Sequence, residues 1–381
     1  MVGRAASFGV FFSISLLSLA CPSIQHYSIP PPSNPRLEKA YIALQAWRHS
    51  ITDDPNDITA NWCGPDVCNY TGVFCAPALD DPHVTTVAGI DINHGNVAGN
   101  LPEEIGLLSD LSLFHINTNR FSGVVPASFR DMHLLFELDL SNNRFYGPFP
   151  HVVLEMPTLR FLDLRFNRFS GKVPKSLFKR NLDAIFLNNN QFRFTLPENI
   201  GNSPVSVLVL ADIDIGGGLP RSLAKMADTL EELIIRNASV KSCIPPEIGH
   251  LRNLKLLDLS RNRLVGELPV TLGRLKNLEV LDVSHNRLSG MIHHGICQLP
   301  RLSQFIFSDN YFCSVPDRCL KIKTEDDREN CIPNLRLQRS VEECQAILYH
   351  PVRCCGYGCL PPPPPPPSPP PPSPLPPPYP Y

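Results

Sequence analysis

Thirteen cysteines, two paired histidines and a series of regularly spaced carboxylates are the side chains best placed to do chemistry in this 381-residue chain. The cysteines gather at two ends: Cys63, Cys68 and Cys75 near the front, and eight from Cys297 to Cys359, with Cys243 alone between and Cys21 near the start. Their value depends on compartment, because clustered thiols oxidise to disulfides outside the cell and stay reduced or bind metal inside it. Met1-Val2-Gly3-Arg4 followed by an apolar run from Ala5 to Ala20 has the make-up of a secretory leader, and no later stretch is long or apolar enough to span a bilayer. Disulfides are therefore expected. The eight rear cysteines can close among themselves in many ways, and Cys63 and Cys243 are left over. An odd cysteine in a secreted chain points to intermolecular pairing, so Cys63 is expected to bridge two protomers as a disulfide-linked homodimer.

Catalytic arrangements are missing. There is no G-x-S-x-G elbow, no H-E-x-x-H pair and no phosphate-cradling glycine loop after a strand. Gly216-Gly217-Gly218 falls in a turn, and His293-His294 lacks the company of other metal ligands. No metal, cofactor or enzymatic activity is expected. A net charge of -2 argues against nucleic acid as a partner.

What positions these residues is a repeat. Asn119, Asn143, Asn167, Asn190, Asn262, Asn286 and Asn310 recur at intervals of 24, 24, 23, 72, 24 and 24 residues. Units centred on Ile213 and Ala238 fill the long interval, and one centred on Gly95 precedes the series, giving ten. The stretch Leu135-Phe136-Glu137-Leu138-Asp139-Leu140-Ser141-Asn142-Asn143 shows the logic. Alternating leucines make a short strand with one buried face. The asparagine can satisfy backbone groups of the turn that follows, and the Gly-x-Phe-Pro segment after it returns the chain. One unit cannot bury its own leucines, so the units must stack.

This pattern resembles the plant-specific leucine-rich repeat, which implies an α/β solenoid: a plant-type horseshoe of about ten repeats. Residues 1–20 form the leader and 35–82 an N-terminal cap, where Leu37, Tyr41, Leu44 and Trp47 give a helical face before Trp62-Cys63-Gly64. The repeats occupy 83–312, a cysteine-rich C-terminal cap 313–360 and a proline-rich tail 361–381. In the tail 16 of 21 residues are proline, which makes an extended polyproline II rod without a packed core. By resemblance to the N-terminal cap of plant extracellular repeats, Cys68 pairs with Cys75. By the same family pattern Cys243 has lost its partner, since Gly218 stands where a matching cysteine would be.

Repeats, cysteine-rich cap and the Ser368-Pro369-Pro370-Pro371-Pro372 tail, in this order, resemble the leucine-rich-repeat extensins, including their pollen-type members. The resemblance is close at Asp326-Asp327-Arg328-Glu329-Asn330-Cys331-Ile332-Pro333. It implies a secreted plant cell-wall protein. Its tail would hold it to wall polysaccharides or extensins, with Tyr379 and Tyr381 as oxidative cross-linking residues. Its repeats would bind secreted, basic, cysteine-rich peptides of the rapid-alkalinization-factor type and so regulate wall assembly and polarised growth. A structural constituent of the wall and a polygalacturonase-inhibitor-like repeat protein are the alternatives.

In such a solenoid the strands line the concave face. Side chains four and six residues before each asparagine position point outward from it. These columns put Phe161, Phe186, Val207, Val209 and Ile234 in the middle of the array. Glu137, Asp139 and Asp163 flank them on one side, and Glu232, Asp258 and Asp282 on the other. An apolar window framed by carboxylates suits a basic peptide. Asp is also the common residue of the Leu-Asp-Leu-Ser consensus, so each single carboxylate has a generic reading as well. Two N-x-[ST] sequons, at Asn69 and Asn237, are candidate glycosylation sites, the second at the edge of this face.

Overall fold

The computed structural model describes residues 34–349, Val352 and the strand residues 354–355 and 358–359. The leader, the proline-rich tail and the cross-linking candidates Tyr379 and Tyr381 lie outside the described residues.

Asn34 opens the first helix, Pro35–Ser50, by accepting from the N–H groups of Arg36 and Leu37. The helix buries Ala40, Ala43, Leu44 and Trp47. Trp47 packs edge-on to Trp62 with centroids 5.3 Å apart and stacks on Phe114 of the solenoid at 5.5 Å, so aromatic surface seals the first coils. The strand Val73–Pro77 follows and pairs antiparallel with Thr85–Asp91.

From there the chain coils. Twelve strands form one sheet in sequence order of its members, every pair after the first being parallel and displaced by one coil. The expected leucine columns are the reason. Ile90, Phe114, Leu138, Leu162 and their counterparts to Phe305 sit at successive rungs and are wholly buried. A second inward column carries phenylalanines, Phe145, Phe169 and Phe192 stacking nearly parallel at 6.2–6.3 Å. The return side of most coils is a short 3₁₀ helix entered through proline, as at Pro126 before Ala127–Asp131 and Pro174 before Lys175–Lys179. Where His293 replaces that proline, its Nδ1 accepts from Gly295 N–H at 3.2 Å and caps the short helix His294–Cys297, a structural use for the histidine pair.

The asparagines tie coil to coil. Asn143 Nδ2 donates to the carbonyls of Ile116, Leu140 and Ser141, while its Oδ1 accepts from Phe121 N–H of the preceding coil at 2.9 Å. Asn167 repeats this with Phe145, and Asn286 with Leu264. The residue just before each ladder position takes a left-handed backbone, including Asn142, Phe166, His285 and Asp309.

The frame read from sequence ends at Asn310, but the spine runs one coil further. Thr324–Asp326 adds to Gln304–Ile306 in parallel register, and Asn330 Oδ1 accepts from Phe312 N–H at 3.0 Å as its predecessors do. Its inward position is not a leucine. Glu325 pairs with Phe305 across the sheet, its Oε1 is buried without a hydrogen-bond partner, and burial, then Asp327 and Asp326, pushes its carboxyl up to about 7.

A second, flanking sheet follows the asparagine turns. It runs from Ile51–Asp53 through Ala98–Gly99, Arg120–Gly123, Arg144–Pro148 and Arg168–Gly171 to Gln191–Phe192. It then stops, and a separate three-stranded sheet begins at Val265–Gly266. The interruption falls on the units centred on Ile213 and Ala238, which lack the asparagine, and Gly216 and Gly217 there hold left-handed φ of 58° and 56°.

Candidate binding face

The concave face follows from strand alternation: with Leu138, Leu162, Ile185, Leu208 and Leu233 turned inward, the residues on either side of each turn outward. Phe161 and Phe186 are half-buried neighbours on adjacent strands, with ring centroids 5.5 Å apart. Val207 and Ile234 continue the apolar surface as half-buried residues. Val209, expected in the window, is buried at 9% exposure and offers little surface.

The carboxylates divide. Glu137 is half-buried and ion-paired with His115 Nε2 at 3.1 Å. Asp139, Asp258 and Asp282 are half-buried, and each uses one oxygen to end its own strand. Asp139 accepts from Ser141 N–H, Asp258 from Ser260 N–H and Oγ–H, and Asp282 from Ser284 N–H and Oγ–H. The generic role of the consensus aspartate is thereby explained, and the second oxygen remains to face outward. Glu232 is half-buried. Asp163 departs from expectation. Its side chain is fully buried and ion-paired with Arg165 at 3.0 Å, so it cannot frame an interface. Burial, reinforced by Asp139, pushes its carboxyl up to about 7, while Arg165 pulls the other way.

Arg165 is the residue that sequence reasoning missed. Its guanidinium lies over the Phe186 ring at 5.0 Å, in the middle of the window. The signal was present: two residues before the ladder position most of the ten coils carry Asn or Ser, and Arg165, Ala211 and Arg236 break that column. Phe136 and Phe166, both about half exposed, extend the aromatic surface beside it.

The cysteines require two corrections. Cys68–Cys75 is formed, with Cα atoms 5.5 Å apart, as are Cys297–Cys319 and Cys331–Cys344. Cys63 is disulfide-bonded, and Cys243, expected to have lost its partner, is disulfide-bonded too. Cys313 carries no disulfide, so the eight rear cysteines do not close among themselves. Both sequon asparagines are exposed: Asn69 donates to Asp66 at 2.5 Å and Asn237 to Asp212 at 2.8 Å. Among the described residues no group of side chains could hold a metal ion, and no helix is long and apolar enough to cross a membrane.

A curved stack of short parallel strands tied by an asparagine ladder defines the class as a leucine-rich-repeat solenoid. The leucine rich repeat family model matches residues 109–169, 228–288 and 252–312, and the leucine rich repeat N-terminal domain model matches 40–76. The chain belongs to the leucine-rich repeat extensin-like family. It is 56% identical to leucine-rich repeat extensin-like protein 6 of Arabidopsis thaliana over 90% of this chain and 73% of that one. It is 60% identical to extensin-like protein 2 of the same plant over 60% of this chain but 29% of that one, so some relatives are far longer. Among solved structures it is similar to a TDR receptor, with 29% identity, a TM-score of 0.60 and coverage of 65% of this chain and 43% of that one. It is also similar to the plant peptide hormone receptor RGFR1 in complex with RGF2, with 25% identity, a TM-score of 0.53 and coverage of 65% and 45%.

Proposed function

We propose that the chain is an extracellular, non-enzymatic binding protein whose concave face holds a secreted, basic, cysteine-rich peptide of the rapid-alkalinization-factor type. Through it the chain acts in plant cell-wall assembly and polarised growth. The observation that carries this reading is the uncovered apolar strip of Phe161, Phe186, Val207 and Ile234 on the inner side of the curve, with Glu137 and Asp139 before it and Glu232, Asp258 and Asp282 after it. Apolar surface supplies affinity, and the outer carboxylates select for positive charge and speed encounter. Arg165 refines the specificity, because a cation in the middle of the strip repels ligand lysines there and confines them to its two ends. A solved structure of similar fold is a plant peptide hormone receptor in complex with RGF2, which supports peptide binding as a use of this fold. Intramolecular disulfides suit an oxidising, extracellular setting. Anchoring of the protein in the wall by residues 361–381 belongs to the same proposal.

The test is direct binding of a basic, disulfide-bonded peptide of this class to Phe186→Glu/Ile234→Glu. Both side chains are half-buried on the concave face, so the fold should persist by circular dichroism. Affinity is expected to fall at least ~10-fold, about 1.4 kcal/mol. Parental affinity in a folded variant would sink the assignment of this face.

A further inference from the structure

We propose that the flank of the solenoid, where its second sheet is interrupted, binds a linear acidic polysaccharide, a polymer of uronic acid sugars. This surface is separate from the concave strip.

The chain as a whole has a net charge of -2, yet between Leu164 and Thr195 seven basic side chains face a single carboxylate, Asp183. Two of the seven have partners: Arg165 pairs with Asp163, and Arg180 donates to the Met156 carbonyl. The other five, Arg168, Lys172, Lys175, Lys179 and Arg193, are exposed and take no ion pair among the described residues. Uncompensated cations repel one another and lower the stability of the coils that carry them, so an arrangement that concentrates them calls for an anion.

The fold gives these cations a cleft. The flanking sheet ends at Gln191–Phe192, and the next coil continues it only by a single parallel bridge, Arg193 with Asp214. Beyond that bridge Gly216 and Gly217 hold left-handed φ, and the regular strand does not resume until Val265–Gly266. The hollow beside the bridge has a volume of about 580 Å³, where Lys172, Lys175, Arg193, Thr195 and Asp214 surround the apolar Val173, Phe194 and Ile215. Through Arg193 and Asp214 it adjoins a second hollow of about 700 Å³, bordered by Ser170, Asn190, Gln191, Asn237 and Ser239. Of the carboxylates present, Asp212 is held by Arg236, Asn189 and Asn237, which leaves Asp214 as the one uncommitted acid.

The two hollows offer different chemistry side by side. Cations recur on neighbouring coils, whose strands are ~4.8 Å apart, a spacing comparable to the length of one sugar in a chain. A uronic acid polymer presents one carboxylate per sugar to meet them. Its ring hydroxyls find donors and acceptors in the side-chain amides and hydroxyls of the adjoining hollow. An acidic peptide would compete for the same cations, but its carboxylates stand on flexible side chains and not on the repeating ring itself.

The test measures binding of the full chain to oligogalacturonate. Its methyl ester serves as the uncharged control and poly-glutamate as the acidic-peptide control, over a range of salt concentrations. Binding to the free acid is expected, with at least ~10-fold loss for the ester and a steep decline with salt. Lys172→Glu/Lys175→Glu/Arg193→Glu should lose at least ~10-fold in affinity for oligogalacturonate, and the milder Lys172→Gln/Lys175→Gln/Arg193→Gln set covers the case in which charge reversal disturbs the fold. Phe186→Glu/Ile234→Glu should bind the sugar as the parent does, whatever its effect on peptide binding. Equal binding of ester and acid, stronger binding of poly-glutamate, or full retention by a folded triple variant would each overturn the proposal.

Discussion

Asp163 shows how one side chain links stability to pH. Its carboxyl is sealed beneath the concave face, and its pKa of about 7 lies well above the ordinary value of 3.8. An acid whose folded pKa is raised holds its proton in the native state after the unfolded chain has lost its own. Native protein then binds more protons than unfolded protein between about pH 4 and 7, and stability falls as pH rises through that window. Below it the group contributes nothing, and above it the loss is constant. The three-unit displacement corresponds to at most about 4 kcal/mol. Asp163→Asn should therefore flatten the decline in melting temperature between pH 5 and pH 8, and Arg165→Ala, which removes the opposing cation, should steepen it. Identical pH profiles in parent and Asp163→Asn would show that the carboxylate is ionised throughout. None of this was readable from the Leu-Asp-Leu consensus, because Asp163 follows the same pattern as Asp139, Asp258 and Asp282. What differs is Arg165, which pairs with Asp163 and lies over the Phe186 ring.

Among the elements, the asparagine ladder carries the most specific energetic claim. Asn167 satisfies the Phe145 N–H of one coil and the carbonyls of Leu140, Leu164 and Arg165. Asn167→Ala would strand several buried backbone groups at once, at a cost of about 3 kcal/mol by urea unfolding. A substitution at exposed Arg168, one residue away, should cost less than about 0.5 kcal/mol. The ladder also shows what could be read beforehand. Leucine alternation and asparagine spacing gave the strands, their register and their faces, because both signals are local and periodic. The coil at Asn330 escaped because it comes after 20 residues instead of 24 and its strand reads Thr324-Glu325-Asp326, without a leucine. The missing asparagines at Ile213 and Ala238 were visible. That the flanking sheet would part there was not, since a flank strand exists only if the neighbouring coil supplies its partner.

At the scale of the molecule, a solenoid is a row of nearest-neighbour contacts, so damage at an end should stay near that end. Cys331–Cys344 ties the last asparagine coil to the helix Val341–Leu348 across 13 residues. Cys344→Ser should remove about 3 kcal/mol, the contribution expected of a loop of that length. Hydrogen exchange should quicken around Asn310 and Asn330 while strands such as Leu138 and Leu162 keep the protection of the parent; uniform loss of protection would mean the spine unfolds as one unit. The coil at that end has a second consequence. Another spine could lengthen this one only by laying its first rung over Thr324–Asp326, and the inward place it would have to cover holds a carboxyl instead of a hydrocarbon. Glu325 thus sets a carboxyl at the one rung where continued stacking would call for a hydrocarbon.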